Sequence, residues 1–265
     1  MPGFDAQTAQ GWEMMRTSVR PGSIPPRTAR QTVCDGLQLL RMKWYENGVI
    51  RQQWMLLLLI LVMCLIQGFQ MFGPEGADDR FMAVPLEVTT SWQAVRSGDA
   101  TIDDGSTFLT LISNTFLHGG ASHLVFNLLF LWIFAALAVE LLGTRWMLVV
   151  YFLTAVSGSL GHILLNPYES HQLLGASGVV MGFEGLYLGM AVRWRLPDPH
   201  VFPIARPIPP VNLVVLTVIG ISIDYYRLME HSQSNVAYGA HLGGFIVGLF
   251  MACFVVPRPG LAEKR

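Results

Sequence analysis

The chain has 265 residues, of which 52% are hydrophobic and 13% charged, and its formal net charge is −1. A water-soluble domain usually carries about 25% charged residues, so this composition excludes an ordinary soluble protein and favours a membrane protein. No basic cluster indicates a nucleic-acid partner, and the three cysteines show no paired spacing that would predict a disulfide or a zinc site.

Residues 1–53 are mostly polar and precede the first long apolar run. We predict that they form a cytoplasmic N-terminal extension. Within it, residues 30–44 are expected to form an amphipathic helix on the membrane or on the protein rather than a separate binding domain. Because no apolar run comes earlier, we predict no signal peptide and an internal first membrane anchor.

Six apolar segments follow, and each has or approaches the roughly 20 apolar residues that a membrane-spanning helix needs. The fifth is short and contains Gly220. We therefore predict an all-α membrane protein with a six-helix core over residues 54–256 and a short cytoplasmic tail over 257–265. The predicted spans are residues 54–72, 122–142, 146–165, 177–194, 211–226 and 238–256.

The loops between these segments indicate the orientation. With six spans, fourteen of the seventeen Lys and Arg residues fall on the side of the two termini and three on the other. By the positive-inside rule both termini are cytoplasmic, and a bacterial inner membrane is the expected location. The first outer loop, about 74–121, is long and mixes acidic with apolar residues, so we predict short helices at the outer interface.

Ser177 is a candidate nucleophile because it begins the fourth predicted span, within Gly175-Ala-Ser-Gly178. Free backbone N–H groups at a helix start can stabilise an anion, and a serine there can form an acyl-enzyme. The flanking glycines allow other helices to approach closely. The alternative is a serine that only caps its helix, which is the commoner use of this residue type.

His241 is a candidate general base, three residues into the sixth predicted span. Glycines at helical spacing line both this span and that of Ser177, at 178, 182, 185 and 189 and at 239, 243, 244 and 248. Such spacing lets two membrane helices pack closely. If they face each other, Ser177 and His241 meet at the same depth, near the outer face. The alternative is a histidine that is satisfied by packing.

Further polar side chains stand at the start of the second predicted span, in the sequence His118-Gly-Gly-Ala-Ser-His123-Leu-Val-Phe-Asn127. His123 and Asn127 are four residues apart and share one helix face. Because the His-Glu-x-x-His string of metalloprotease helices is absent, we predict no metal site.

Glu184 lies two helical turns after Ser177 and about 10 Å deeper. An acidic residue in mid-membrane indicates a function by default, here the holding of internal water. The alternative is a protonated carboxyl that is hydrogen-bonded to Thr154, Ser157 or Ser159 of the third span.

Three short motifs occur in order on three of the predicted spans. They are His-x-x-x-Asn at 123–127, Gly-Ala-Ser-Gly at 175–178 and Ala-His-x-x-Gly-x-x-x-Gly at 240–248. Together they resemble the rhomboid family of intramembrane serine proteases, over about residues 105–256. The resemblance implies a rhomboid-like bundle of six transmembrane helices with a long first extracytoplasmic loop.

The resemblance also implies a catalytic pair without a third acid. Ser177 is then the nucleophile, and neutral His241 is the general base and later the general acid. The Ser177 N–H with the side chains of His123 and Asn127 is implied to form the oxyanion hole. No cofactor is implied.

The remaining site residues take supporting roles in this interpretation. His118 matches a structural histidine of the family. Met181 stands where relatives often carry an aromatic residue that packs on the catalytic imidazole. The other supporting residues are Gly175, Gly178 and Glu184.

The leading prediction is an intramembrane serine endopeptidase that cuts transmembrane segments of membrane proteins near the outer face, in contact with membrane lipids. Water must reach Ser177, so we expect a gate at the fifth span and the following loop, residues 224–235. Two alternatives stay open. One is a catalytically silent rhomboid-like protein that binds membrane clients. The other is a small transporter that uses Glu184 and His162 as a polar path.

Overall fold

The computed structural model describes residues 52–197, 209–229, 236–260 and 262–264. Apart from its last two residues, the predicted N-terminal extension lies outside the described residues, as does its predicted helix at 30–44. Most of the loop between the fourth and fifth predicted spans lies outside them as well. The structure therefore bears on the predicted membrane core and on part of the tail.

The described chain is almost entirely helical, as predicted. The helices are α1 (Trp54–Phe72), α2 (Pro85–Ser97), α3 (Ile102–Ser113), α4 (Ala121–Leu142), α5 (Thr144–Leu165), α6 (Ser177–Arg193), α7 (Pro210–Met229) and α8 (Tyr238–Phe250). A π-helical turn, Met251–Val255, continues α8. Strand β1 (Trp194–Arg195) pairs antiparallel with β2 (Glu263–Lys264), so the tail meets the end of α6.

All six predicted spans are helical, but they differ in whether their length and composition suit a membrane crossing. Among the described residues, four helices have the length and composition for it: α1, α4, α5 and α8 with its π turn. Helix α7 is apolar but shorter over Pro210–Tyr226. Helix α6 has 17 residues, or about 25 Å, against a hydrocarbon thickness of about 30 Å. Six crossings therefore remain a prediction.

Helix α6 is the centre of the bundle, because 13 of its 17 residues are buried. It packs most extensively on α8, which also packs on α5. A Cβ added at Gly244 would collide with the carbonyl oxygen of Gly178, and one added at Gly248 with that of Gly182. These four residues form a glycine seam in which the backbones of α6 and α8 touch, as their spacing predicted.

The chain between α1 and α4 forms two short helices, as predicted. Helix α2 begins with Pro85 in its first turn and is followed by the C-cap residue Gly98, whose φ of +86° is the left-handed conformation that favours glycine. Helix α3 begins with a capping box between Thr101 and Asp104. Val88 of α2 and Leu111 of α3 are buried in one apolar cluster with Ile163 of α5, which attaches this segment to the bundle.

The segment before α2 is bonded to the segment before α6. The Ala83 N–H donates to the Leu173 carbonyl oxygen at 3.2 Å, and the Leu173 N–H donates back to the Ala83 carbonyl oxygen at 2.7 Å. The Leu86 N–H donates to the carbonyl oxygen of Glu169 at 3.0 Å. These main-chain bonds hold the chain that leads to Ser177.

Helix α7 lies at the edge of the bundle. Val215, Ile219 and Ile223 are exposed on its outer side, whereas Leu213 and Thr217 are buried. The predicted fifth span ended at residue 226, and the predicted mobile loop began at 224. That boundary is wrong, because α7 continues to Met229 and Asp224 is a helical residue.

Candidate active site

Ser177 begins α6, and two hydrogen bonds hold the residues before it. The Gly175 N–H donates to the Asn114 carbonyl oxygen at 2.9 Å, and the Ala176 N–H donates to His118 Nε2 at 3.4 Å. Gly175 has φ of +119°, which a residue with a side chain rarely adopts. The chain therefore turns sharply before Ser177, whose side chain is half-buried at the helix start.

His123 and Asn127 of α4 lie against this turn. A Cβ added at Gly175 would lie 2.7 Å from His123 Cε1, 2.9 Å from His123 Nε2 and 3.7 Å from Asn127 Nδ2. The shared helix face predicted for these two side chains thus points at the chain before Ser177. Glycine at 175 leaves the space that the imidazole occupies.

Both side chains have a donor available there. His123 Nδ1 accepts the Gly119 N–H at 3.3 Å, so in the neutral ring the proton is on Nε2, the nitrogen that faces Gly175. Asn127 is buried, and its Nδ2 has no hydrogen-bond partner among the described residues. Buried donors are normally bonded, so an unpaired one calls for an explanation.

His118 contacts both His123 and the chain before Ser177. Its ring packs edge-on against that of His123, with 5.3 Å between the ring centroids. Burial, and secondarily the charge of His123, lower the pKa of His118 to about 4. The ring is therefore neutral at ordinary pH, which leaves Nε2 free to accept the Ala176 N–H.

His241 is the fourth residue of α8 and is held from two sides. Its Nδ1 lies 2.6 Å from Oδ2 of Asp224 on α7. The ring of Tyr238, one turn earlier, packs edge-on at 6.2 Å between centroids. The expectation that no third acid is placed to serve is wrong, because α7 brings a carboxylate to the histidine. The imidazole of His241 is thus held by one helix neighbour, Tyr238, and by one residue of α7, Asp224.

The helix starts that carry Ser177 and His241 lie side by side. A Cβ added at Gly178 would be 3.1 Å from the Ala240 carbonyl oxygen, so the residues next to Ser177 and His241 are in contact. His123 is also close enough to His241 for their charges to interact. A small cavity with room for about one water opens at this contact. Its lining includes Asn114, Ser159, Gly175, Ser177, Gly178 and Ala240.

Met181 and Glu184 lie deeper in α6, and both are buried. Glu184 faces α7, since its Oε2 is 3.9 Å from the position of a Cβ on Gly220. The hydroxyl groups of its three predicted partners on α5 instead donate to backbone carbonyls: Thr154 to Val150, Ser157 to Thr154 and Ser159 to Leu111. The predicted bonding of Glu184 to α5 is therefore not what the structure has.

The transporter alternative gains no support from the geometry. His162 pairs with Glu169 in the chain before α6, with 3.0 Å between Nε2 and Oε2. Glu184 contacts α7, so these residues belong to different surroundings and do not outline a polar path. Across the described ranges, no group of three or more His, Cys, Asp or Glu side chains is placed to hold a metal ion.

Comparison with known proteins decides the family. A sequence model described as Rhomboid domain matches residues 105–258, more than half of the chain. The chain belongs to the rhomboid family. With its four apolar helices of spanning length, this rhomboid is a multi-pass membrane protein. The matched part contains α4 to α8 and every candidate site residue.

Several curated relatives are rhomboid proteases by name. Rhomboid protease GluP of Bacillus subtilis is 30% identical over 156 residues, which are 58% of this chain and 28% of GluP. Putative rhomboid protease YdcA of the same organism is 24% identical over 180 residues, 67% of this chain and 82% of the relative. Rhomboid protease GlpG of Yersinia enterocolitica is 30% identical over 162 residues, 60% of this chain and 53% of GlpG. The match thus spans less than a third of GluP and about half of GlpG.

Proposed function

We propose that this rhomboid is a serine-type intramembrane endopeptidase that cleaves transmembrane segments of membrane proteins, with Ser177 as nucleophile and His241 as general base. The observation that carries the proposal is the contact of Gly178 with Ala240, which sets the start of α6 beside the histidine-bearing turn of α8. The protease names of GluP, YdcA and GlpG support the same activity.

In the proposed reaction, Ser177 Oγ attacks the carbonyl carbon of the scissile peptide bond while His241 Nε2 takes the hydroxyl proton. The C–N bond then breaks, and the histidine returns the proton to the leaving amine. A water next attacks the acyl-serine with His241 again as base, the ester C–O bond breaks, and the histidine returns the proton to Ser177 Oγ. The cavity that Ser177 lines has room for one such water.

The oxyanion that forms in both steps needs donors held in place beforehand. We assign this role to the Ser177 N–H, His123 Nε2–H and Asn127 Nδ2–H. The unpaired Nδ2 of Asn127 supports the assignment, because a substrate oxyanion would supply the partner that this donor lacks within the described chain. Each such donor typically contributes about 10²–10³ in rate.

The membrane sets the requirements on the substrate. A helical peptide bond is shielded by its own hydrogen bonds, so a substrate segment must unwind locally, which small or helix-breaking residues favour. We place the cut near the outer face of a bacterial inner membrane, with both termini of the enzyme cytoplasmic, on the Lys and Arg distribution of the loops. Helix α7, at the edge of the bundle, is the proposed gate.

The test uses the purified full chain in proteoliposomes with a reporter transmembrane substrate. Ser177→Ala and His241→Ala should each abolish cleavage, and a fluorophosphonate probe should label the parent protein but not Ser177→Ala. Ser106→Ala and His171→Ala are matched controls, because both side chains are exposed and neither is part of the proposed site. Cleavage that survives either active-site change would reject the mechanism. A folded parent protein that cuts no segment would favour the silent client-binding alternative.

A further inference from the structure

Helix α7 brings one carboxylate to the proposed general base. Asp224 Oδ2 is 2.6 Å from His241 Nδ1, and only 18% and 13% of the two side chains are exposed. Asp224 lies seven residues, two helical turns, after the buried Thr217, so it is on the inner face of α7. This charge faces the active site, while the apolar outer face of the same helix is exposed.

The contact determines which imidazole nitrogen carries the proton. An ionised carboxylate only accepts hydrogen bonds, so Nδ1 of His241 must be the donor. In the neutral ring Nε2 then holds the lone pair, which is the nitrogen required to take a proton from Ser177. When it does so, the imidazolium forms beside a carboxylate already in place.

We propose that Asp224 is the positioning residue of His241, so that the centre works as a Ser177–His241–Asp224 triad. The family resemblance implied a pair without a third acid, and this inference rests on the proposed protease function. Asp224 does not touch substrate in this proposal. It acts through the histidine, by holding its ring orientation and tautomer and by stabilising the imidazolium.

A second acid–histidine pair in the same protein provides a matched comparison. His162 Nε2 and Glu169 Oε2 are 3.0 Å apart, also in a partly buried place, but no candidate nucleophile depends on that ring. Glu169→Gln removes the same kind of pair outside the proposed machinery. A general loss of stability on neutralising a partly buried acid would affect both variants, whereas a positioning role concerns Asp224 alone.

The first test measures cleavage kinetics of Asp224→Asn, Asp224→Glu and Glu169→Gln in proteoliposomes. In soluble serine proteases the equivalent Asp→Asn change costs about 10⁴ in kcat, and we expect a loss of about 10²–10⁴ here with KM within about twofold. Asp224→Glu should recover part of the loss, because it restores a carboxylate. Glu169→Gln should cleave at about the parent rate.

The second test reads the tautomer directly, by NMR of ¹⁵N-histidine-labelled protein in micelles. The His241 signal, assigned by its loss in His241→Ala, should show a protonated Nδ1 in the parent protein and in Asp224→Glu. In Asp224→Asn it should shift toward protonated Nε2. This measurement needs a folded protein but no activity, and if Asp224→Asn does not fold the parent spectrum is itself a test, because a protonated Nε2 in the parent would contradict the proposal.

Three results would overturn the triad. A parent-like kcat in Asp224→Asn would show that Asp224 does not position His241. An unchanged His241 tautomer in Asp224→Asn would show that the carboxylate does not fix the proton on Nδ1. Faster cleavage by Asp224→Asn would mean instead that the Asp224–His241 contact restrains α7 and limits the rate of cleavage. In each case the dependence on Ser177 and His241 persists, so failure of the triad is distinct from failure of the proposed protease function.

Discussion

The two sides of helix α6 are packed in different ways. On one side the glycine seam brings the backbone of α8 so near that a single added methyl group collides with a carbonyl oxygen. On the other side α7 approaches through side chains, and a methyl group at Gly220 would meet Glu184 at an ordinary 3.9 Å. The residues next to the proposed nucleophile and its proposed base, Gly178 and Ala240, therefore meet on the tight side, whereas Asp224 belongs to the helix that packs less closely.

The largest effect is expected from breaking the glycine seam. Gly248→Ala places a methyl group on the Gly182 carbonyl oxygen, which cannot move without the whole of α6. Overpacking usually lowers the free energy of unfolding by about 1–3 kcal/mol. Because the group that is hit here is backbone, we expect a loss at or above the upper end of that range. We expect the variant to lose most of its folded yield and its activity, measured by thermal unfolding in detergent and by cleavage.

Gly68→Ala in α1 is the control, since a methyl group there meets nothing within 4 Å. It should unfold at the parent temperature or slightly above it, because alanine favours a helix interior. A Gly248→Ala protein as stable as Gly68→Ala would mean that α6 and α8 are not in backbone contact, and the difference between the two sides would disappear.

The next effect separates chemistry from packing next to the start of α6. Asn127→Ala removes a donor whose Nδ2 has no partner in the described part of the chain, so little stability should be lost. If Asn127 Nδ2 donates a hydrogen bond to the oxyanion, kcat of Asn127→Ala should fall by about 10²–10³. Cleavage kinetics and thermal unfolding on the same preparation test this. Asn212→Ala, an exposed position on α7, should leave both unchanged; a parent-like kcat in Asn127→Ala would remove this residue from the oxyanion hole.

A smaller effect should appear in the pH dependence of stability. Burial lowers the pKa of His118 to about 4, below the ordinary value of about 6.5. Between these values the unfolded chain binds a proton that the folded one does not, so stability falls as pH falls from 6.5 to 4. Protonation would also turn Nε2 into a donor and break its bond from Ala176.

His118→Gln removes this titration and keeps an oxygen acceptor. Its unfolding temperature should therefore fall less than that of the parent between pH 6.5 and 4, with the two curves parallel above pH 7. Curves that stay parallel over the whole range would show that His118 does not contribute. Because both proteins carry the other titrating groups, the difference between the curves isolates this one.

The smallest effect is expected at α7. Gly220→Ala adds a methyl group at ordinary contact distance and replaces glycine in a helix interior, which usually stabilises a helix by up to about 1 kcal/mol. The unfolding temperature should stay equal or rise slightly. A loss as large as that in Gly248→Ala would show that α7 packs as tightly as α8.

The sequence predicted the helices because apolar run length is a local property. The first span was expected at 54–72 and forms α1 over Trp54–Phe72; the third was expected at 146–165 and forms α5 over Thr144–Leu165. The glycine seam was also foreseeable, because small residues at four-residue spacing allow close backbones. The contact of His123 and Asn127 with Gly175 followed from their i,i+4 spacing and the family motif.

Contacts that depend on helix rotation were not foreseeable in this way. Asp224 was predicted at the start of a loop, and whether it faces lipid or His241 depends on how α7 is turned against its neighbours. Glu184 was expected to bond α5 but faces α7 for the same reason. The sequence did contain one signal for Asp224: it is an acidic residue at the end of an apolar segment, and in a membrane such a residue is usually paired.

The bridge between Ala83 and Leu173 has a consequence for biogenesis. Its two hydrogen bonds join residues 90 positions apart, and both α4 and α5 lie between them in the chain. Contacts of such long range form late, since the intervening segments must first be arranged. The turn into Ser177 is then completed only after these helices have been inserted, and His241 arrives later still with α8. The proposed catalytic pair is therefore incomplete in the membrane until α8 has been made and inserted.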